Sequence, residues 1–174
     1  MKFIEFIKEN RSGLVDEWFK WLISHYPEPS RVYISKKEEA FTNPVGYSLY
    51  QNAGKILDGL SNGDTESKEF QESIKEIIKI RSIQGLELWL AVNIFEFLWR
   101  EYLKDLDSSL NREDLLSSMD FYHRLLSICI TKFVEIRETI AEIQKNEIRN
   151  RYGKILERLN ERYSLLNDDN NDKT

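Results

Sequence analysis

Residues 41–47 read FTNPVGY, and three readings compete for them: a ligand loop, a phosphate cradle, or the start of a helix. Asn43 precedes a proline, which pushes it from helical dihedrals toward extended ones. Extended backbone with a short side-chain acceptor describes an N-cap. Pro44 then falls on the first helical position, where its missing N–H costs nothing. Gly46, the third helical residue, weakens the helix slightly. It marks a place where another element comes so close that a Cβ would clash. Phe41 and Tyr47 flank the turn and are expected to close over it. The stretch is read as a capped helix start at a tight crossing.

Working outward, the same signals divide the chain into helices. Toward the N-terminus, 2–9 form a short amphipathic piece, and Ser12 is read as the cap of a helix over 13–25. Leu14, Trp18, Trp21 and Leu22 fall on one face of it. YPEP (26–29) ends that helix, because proline removes a donor and clashes with the preceding turn. A loop or short turn then carries Arg31 to Phe41. Past Pro44 a helix runs to about residue 60, and SNGD (61–64) breaks it. Asp64 is read as the cap of a helix over about 65–82, with Phe70, Ile74, Ile77 and Ile78 inward. Gly85 marks a junction.

The most apolar stretch, LELWLAVNIFEFLW (86–99), contains Glu87, Asn93 and Glu96. It falls short of the roughly 20 apolar residues that a membrane span needs. It predicts a covered helix over about 86–105, apolar nearly all round. LDSSLN (106–111) connects onward, and Asn111 with Asp114 resembles a capping pair.

From Arg112 nothing stops a helix until about Leu166. Leu126, Cys129, Phe133, Ile136, Ile140 and Ile143 recur in steps of three and four. The pattern slips and resumes as Ile148, Tyr152, Ile155, Leu159 and Leu166. Such length exceeds the ~8–20 residues usual in globular helices and predicts a coiled-coil extension. That extension is basic: six cationic residues between Lys145 and Arg162 oppose three glutamates, a net of +3. Three parts are expected: a domain over 1–145, a helical extension over 146–166, and a polar, disordered tail over 167–174.

Composition narrows the function. The chain has 174 residues, 41% hydrophobic and 32% charged, with only 3 Pro and 7 Gly. That is ordinary for one helical globular domain with a real core. A net charge of −5 argues against a general nucleic-acid binder. The one cysteine, Cys129, excludes an intramolecular disulfide and fits a reducing compartment. MKFIEFIKEN is too short and too charged for a signal peptide, so a cytoplasmic protein is expected.

No chemistry-bearing constellation stands out. His25 ends a helix next to Tyr26, where a cation favours the helix dipole. His123 has no second His or Cys at metal-ligand spacing. Cys129 lies on the inner stripe and reads as a small buried hydrophobe. No glycine-rich phosphate loop, nucleophile elbow or zinc spacing occurs. An enzyme is not expected, nor are catalytic residues, a metal or a cofactor. Trp18, Trp89 and Trp99 read first as core packing. Their alternative is an aromatic pocket for a small apolar ligand.

Three segments together carry a family resemblance: YPEP, then FTNPVGYSLYQNAGKILDGL, then IIKIRSIQGLELWLAVNIFEFLWREYL. In order they resemble the N-terminal domain of RsbR-type stressosome co-antagonists, the RsbRD N-terminal family. In that pattern a Trp-bearing helix (Trp18) leads to Tyr26-Pro27. An F-x-N-P-V-G-Y segment follows, with Asn43, Pro44, Gly46 and Tyr47. An R-x-x-Q element, Arg81 and Gln84, then precedes an apolar helix. The match covers about 12–105. The resemblance implies a globin-like all-α fold that usually lacks haem, acts as a sensory module and forms dimers. In RsbR-type proteins this domain is joined by a helix to a STAS domain, which is not expected here. Stand-alone relatives occur in sulfur-metabolising bacteria alongside membrane redox proteins.

The expectation is therefore a non-enzymatic, haem-less globin-like signalling module. It would form a homodimer through its last two helices and transmit a ligand or partner signal through the final one. The alternative is a structural adaptor on a membrane redox complex of sulfur metabolism.

Overall fold

The fold is known as a computed structural model. It describes residues 2–37, 40–84, 93–105 and 111–171, with side chains only to 163 in the last stretch. Among the described residues every regular element is a helix: α1 (Phe3–Ser24), α2 (Glu28–Ile34), α3 (Pro44–Ser61), α4 (Lys68–Ile83), α5 (Asn93–Lys104) and α6 (Arg112–Asn171). The chain divides into two compact units, Met1–Ile136 and Arg137–Thr174. The first closes nine residues earlier than the expected boundary at 145.

α1 corrects the expected break at Ser12. One helix runs from Phe3, started by the Lys2 N–H donating to Glu5 Oε2 at 2.9 Å. Phe3, Phe6 and Ile7 before the weak Asn10–Gly13 stretch, and Leu14, Val15 and Trp18 after it, are all buried. Packing of both halves overrides the local propensity of the residues between them. The helix ends at Ser24, ahead of Pro27. Arg31 then donates to the carbonyls of Tyr26 and Ser24 at 2.7 and 2.9 Å, satisfying groups that the helix end leaves open. Arg31 does this from α2, which occupies part of the expected loop and carries Pro29 in its first turn, where proline is tolerated.

The α3–α4 connection corrects the placement of the next cap. Gly63 has φ +69°. Asp64 N–H donates to Gly59 O at 2.8 Å, and Gly63 N–H to Leu60 O at 3.1 Å. These two bonds form a Schellman termination. Asp64 thus closes the preceding helix and does not open the following one. Ser67 caps α4 instead, its Oγ accepting from Phe70 N–H at 3.3 Å.

The core of the first unit is built where α1 packs on α3 and α5, and α3 on α4. Leu22, Leu49, Ile56, Leu57, Leu60, Phe70 and Ile74 are almost wholly buried there. α5 contributes Ile94, Phe95, Leu98 and Tyr102. Arg100 and Leu103 are exposed, so its described part is two-sided and not apolar all round. Residues 85–92, including Gly85 and the start of that expected helix, lie outside the described residues.

α6 is capped by Asn111, whose Oδ1 accepts from Glu113 N–H at 3.2 Å, while Asp114 lies 3.9 Å from Lys2 Nζ. Its buried stripe is Ser118, Leu125, Cys129 and Ile136. Leu126 and Phe133, expected inward, are only half-buried, because the stripe runs one position earlier at Leu125. The helix continues through Asn171, past the expected stop near Leu166 and into the expected tail. From residue 141 to 163 every side chain is exposed.

Candidate functional site

The FTNPVGY segment builds a polar junction inside the first unit. Asn43 is 5% exposed and uses its amide fully. Its Oδ1 accepts from Gly46 N–H at 2.9 Å, and its Nδ2 donates to Ile34 O at 2.9 Å and Lys36 O at 3.1 Å. One side chain thus starts α3 and ties it to the end of α2. Gly46 lies directly beneath these bonds. A Cβ there would fall inside the contact distance of Ile34 O and Asn43 Nδ2, and 2.9 Å from Asn43 Cγ. Tyr47 is half-buried. Phe41 does not close over the turn as expected: its ring is wholly in solvent, and the turn is held instead by the Asn43 amide, bonded to the Ile34 and Lys36 carbonyls. The neighbouring segment is held to α1 by Lys37, which pairs with Asp16, while Tyr50 donates to the same carboxylate at 2.9 Å. The hydrogen bonds from Lys37 and Tyr50 hold the Asp16 carboxyl below its usual range.

A second cluster joins residues far apart in the chain. Arg81 is 2% exposed, and its Nη1 donates to Tyr26 Oη at 2.6 Å. Tyr26 in turn donates to Gln84 Oε1 at 2.8 Å. The guanidinium lies 5.3 Å from the Tyr26 ring centre. Burial lowers the Arg81 pKa, and its contact with Tyr26 opposes that. A guanidinium stays charged regardless. The Tyr-Pro and R-x-x-Q pieces of the sequence therefore meet in one buried-to-surface relay between the end of α1 and the end of α4.

Trp18 and Trp99 serve packing. Trp18 is 1% exposed, and its indole N–H donates to Asn93 Oδ1 at 3.4 Å. Trp99 stacks on Tyr122 at 5.0 Å and meets Phe3 edge-on at 5.4 Å and Tyr102 at 5.4 Å. Trp89 lies outside the described residues. The space left between Ile56, Ile74, Ile78, Ile94, Phe95 and Cys129 is about 10 Å³, at the lower limit of what one water needs. A larger cleft of about 260 Å³ opens beside Asn10, Gly13, Glu17, Glu101 and Lys104, away from both rings.

Among the described residues no group of His, Cys, Asp and Glu could hold a metal ion. His25 Nδ1 lies 2.8 Å from Trp21 O at the end of α1, and His123 is exposed on α6. Cys129 is 1% exposed, and burial pushes its thiol pKa up. A thiol-specific reagent such as DTNB should therefore react roughly a thousandfold more slowly with native protein than with protein in urea. Equal rates in the two would place Cys129 at the surface.

One feature escaped the sequence reading. On the outer face of α6, Leu116, Met119, Ile130 and Val134 are 36–50% exposed, with His123 and Leu126 completing the steps of three and four. α5 adds Leu103, 45% exposed. Both faces of α6 carry apolar residues, so periodicity alone did not separate the inner from the outer one.

The chain matches no family model, no curated protein and no solved structure. Among the described residues no helix is long and apolar enough to cross a membrane.

Proposed function

We propose that this protein is a non-enzymatic signalling module of the haem-less globin-like, RsbR-type kind. In this reading it is a homodimer that passes a signal along α6. The observation that carries it is the exposed apolar stripe of Leu116, Met119, Ile130 and Val134 in the first unit. It lies on the same unbroken helix that supplies the core with Leu125 and Cys129. A second copy covering the stripe removes it from water. Any shift of α6 in that dimer is felt along a continuous helix, so a ligand or partner protein can bias two arrangements. The filled space around Cys129 favours a signal received at the surface over one held in the core. The Tyr26–Arg81–Gln84 relay and the Asn43 crossing fix where the helices meet.

Light scattering tests the dimer. The full chain is expected at twice its 20.7 kDa, and the double variant I130E/V134E at the monomer mass with its helical content retained. A wild-type monomer at high micromolar concentration sinks the proposal.

A second reading is a structural adaptor docked on a membrane redox complex of sulfur metabolism. The basic 145–162 segment is what favours it. Co-purification with such a complex, unaffected by the I130E/V134E change, would favour the adaptor over the signalling module.

A further inference from the structure

The second unit presents a seam with no use inside its own helix. Ile148, Tyr152, Ile155 and Leu159 follow each other in steps of four, three and four, and are 45–65% exposed. That spacing places them in one line along α6. It is the width of a helix–helix seam, in which alternate residues of a heptad insert between those of a partner helix.

The charges around the seam decide what kind of helix it accepts. Arg151 and Arg158 lie along one rim, four residues before and three after Ile155, and Arg149 lies on the other. Lys145 and Arg162 sit on the seam line itself, three residues outside Ile148 and Leu159. Glu157 and Glu161 fall on the far side of the helix, while Glu147, four residues before Arg151, borders that rim. Glu147 is engaged by Arg151 at 2.6 Å along the same helix, and Lys145 by Glu142 at 3.5 Å.

Self-pairing is opposed in either direction. A parallel, in-register pair sets Lys145 against Lys145 and Arg162 against Arg162 at the two ends of the seam. An antiparallel pair sets the Arg151 of each copy against the Arg158 of the other. Like charges placed face to face select against a partner. A helix of the same seam spacing with Asp or Glu on its rims turns each of these repulsions into an attraction. A membrane surface fits less well. A helix lying on lipid buries a broad apolar face beneath a polar face rich in cations. Here Leu156 and Tyr163 widen the apolar line on the Arg149 side, but three glutamates dilute the polar face to a net of +3 between Lys145 and Arg162.

We propose that this seam is the docking site for an acidic amphipathic helix of a different protein, recognised by the apolar line and the arginine rim together. The inference deepens the reading of α6 as the output helix and rests on it. It is tested independently of the dimer, because its variants lie in a different unit from Ile130 and Val134.

The probes are two labelled synthetic peptides of about four heptads, with the same isoleucine–leucine seam and either Glu or Lys on both rims. Each is titrated with the full chain and followed by fluorescence anisotropy. The Glu peptide is expected to bind at least about ten-fold more tightly than the Lys peptide, and less tightly as salt is raised. The variant R151E/R158E/R162E should reverse the preference, and Ile155→Asp should abolish binding of both. These side chains are exposed, so circular dichroism should be unchanged. Equal affinity for the two peptides, binding of neither, or a preference that survives the charge reversal would each overturn the proposal. So would tighter binding to phosphatidylglycerol vesicles than to the Glu peptide, which would make the segment a lipid-surface helix.

Discussion

Gly46→Ala is expected to lower the unfolding free energy by about 3 kcal/mol, read as a drop in the urea midpoint. The added methyl has nowhere to go. It would meet the Ile34 carbonyl, which is backbone, and the Asn43 amide, which is held by three hydrogen bonds. Either the α2–α3 crossing opens or the cap is ejected. Asn43→Ala alone should cost about 2–3 kcal/mol, because it removes the cap and leaves the buried Gly46 N–H and Ile34 carbonyl without that partner. The two changes should not add. With the Asn43 side chain cut back, two of the three atoms nearest the methyl are gone, so Gly46→Ala should cost less in that background. Strict additivity would show that Asn43 and Gly46 act separately and that the crossing is not a single unit.

Trp18→Ala should cost about 3–5 kcal/mol, the range for emptying a large aromatic from a packed core. Its indole is 1% exposed, and the surrounding helices α1 and α5 cannot collapse around so large a void without moving Asn93. Trp18→Phe separates the polar part of this effect. It keeps most of the packing and removes the N–H that serves Asn93 Oδ1, at a side chain only 2% exposed whose Nδ2 has no partner among the described residues. About 1–2 kcal/mol is expected from that change. A loss below about 1 kcal/mol for Trp18→Ala would mean that Trp18 faces space able to close or to admit solvent, and would revive the aromatic-pocket reading.

Local sequence was enough to read some elements and misled for others, and the physical difference is consistent. Asn43-Pro44 starts a helix by its own chemistry, because the proline restricts the residue that caps. Asp64 carries an equally good capping side chain. Its backbone N–H is spent on ending α3, which only the geometry after Gly63 reveals. Ser12 and Gly13 look like a break, yet burial on both sides carries the helix through. Phe41 reads as a lid, but its ring stands in solvent and hydrogen bonds from the Asn43 amide hold the turn instead. The candidate site was less legible still. Tyr26, Arg81 and Gln84 stood in the sequence as separate pieces of a resemblance, and their contact spans 55 residues. The outer stripe of α6 shares its periodicity with the inner one, and only burial distinguishes Ile130 from Cys129.

The anchoring of Phe3 has a consequence for synthesis. Its N–H donates to Ser118 Oγ at 3.3 Å, across 115 residues of chain, and its ring packs on Trp99, Tyr102 and Phe121. Within the first unit, Phe3 is thus made well before its partners, which are among the last residues of that unit to be made. At about 5–20 residues per second the wait is on the order of 6–20 s. For that interval an apolar N-terminal turn with Phe3, Phe6 and Ile7 has no native cover from α6. The nascent chain is then a substrate for whatever holds exposed hydrophobic segments in the cell.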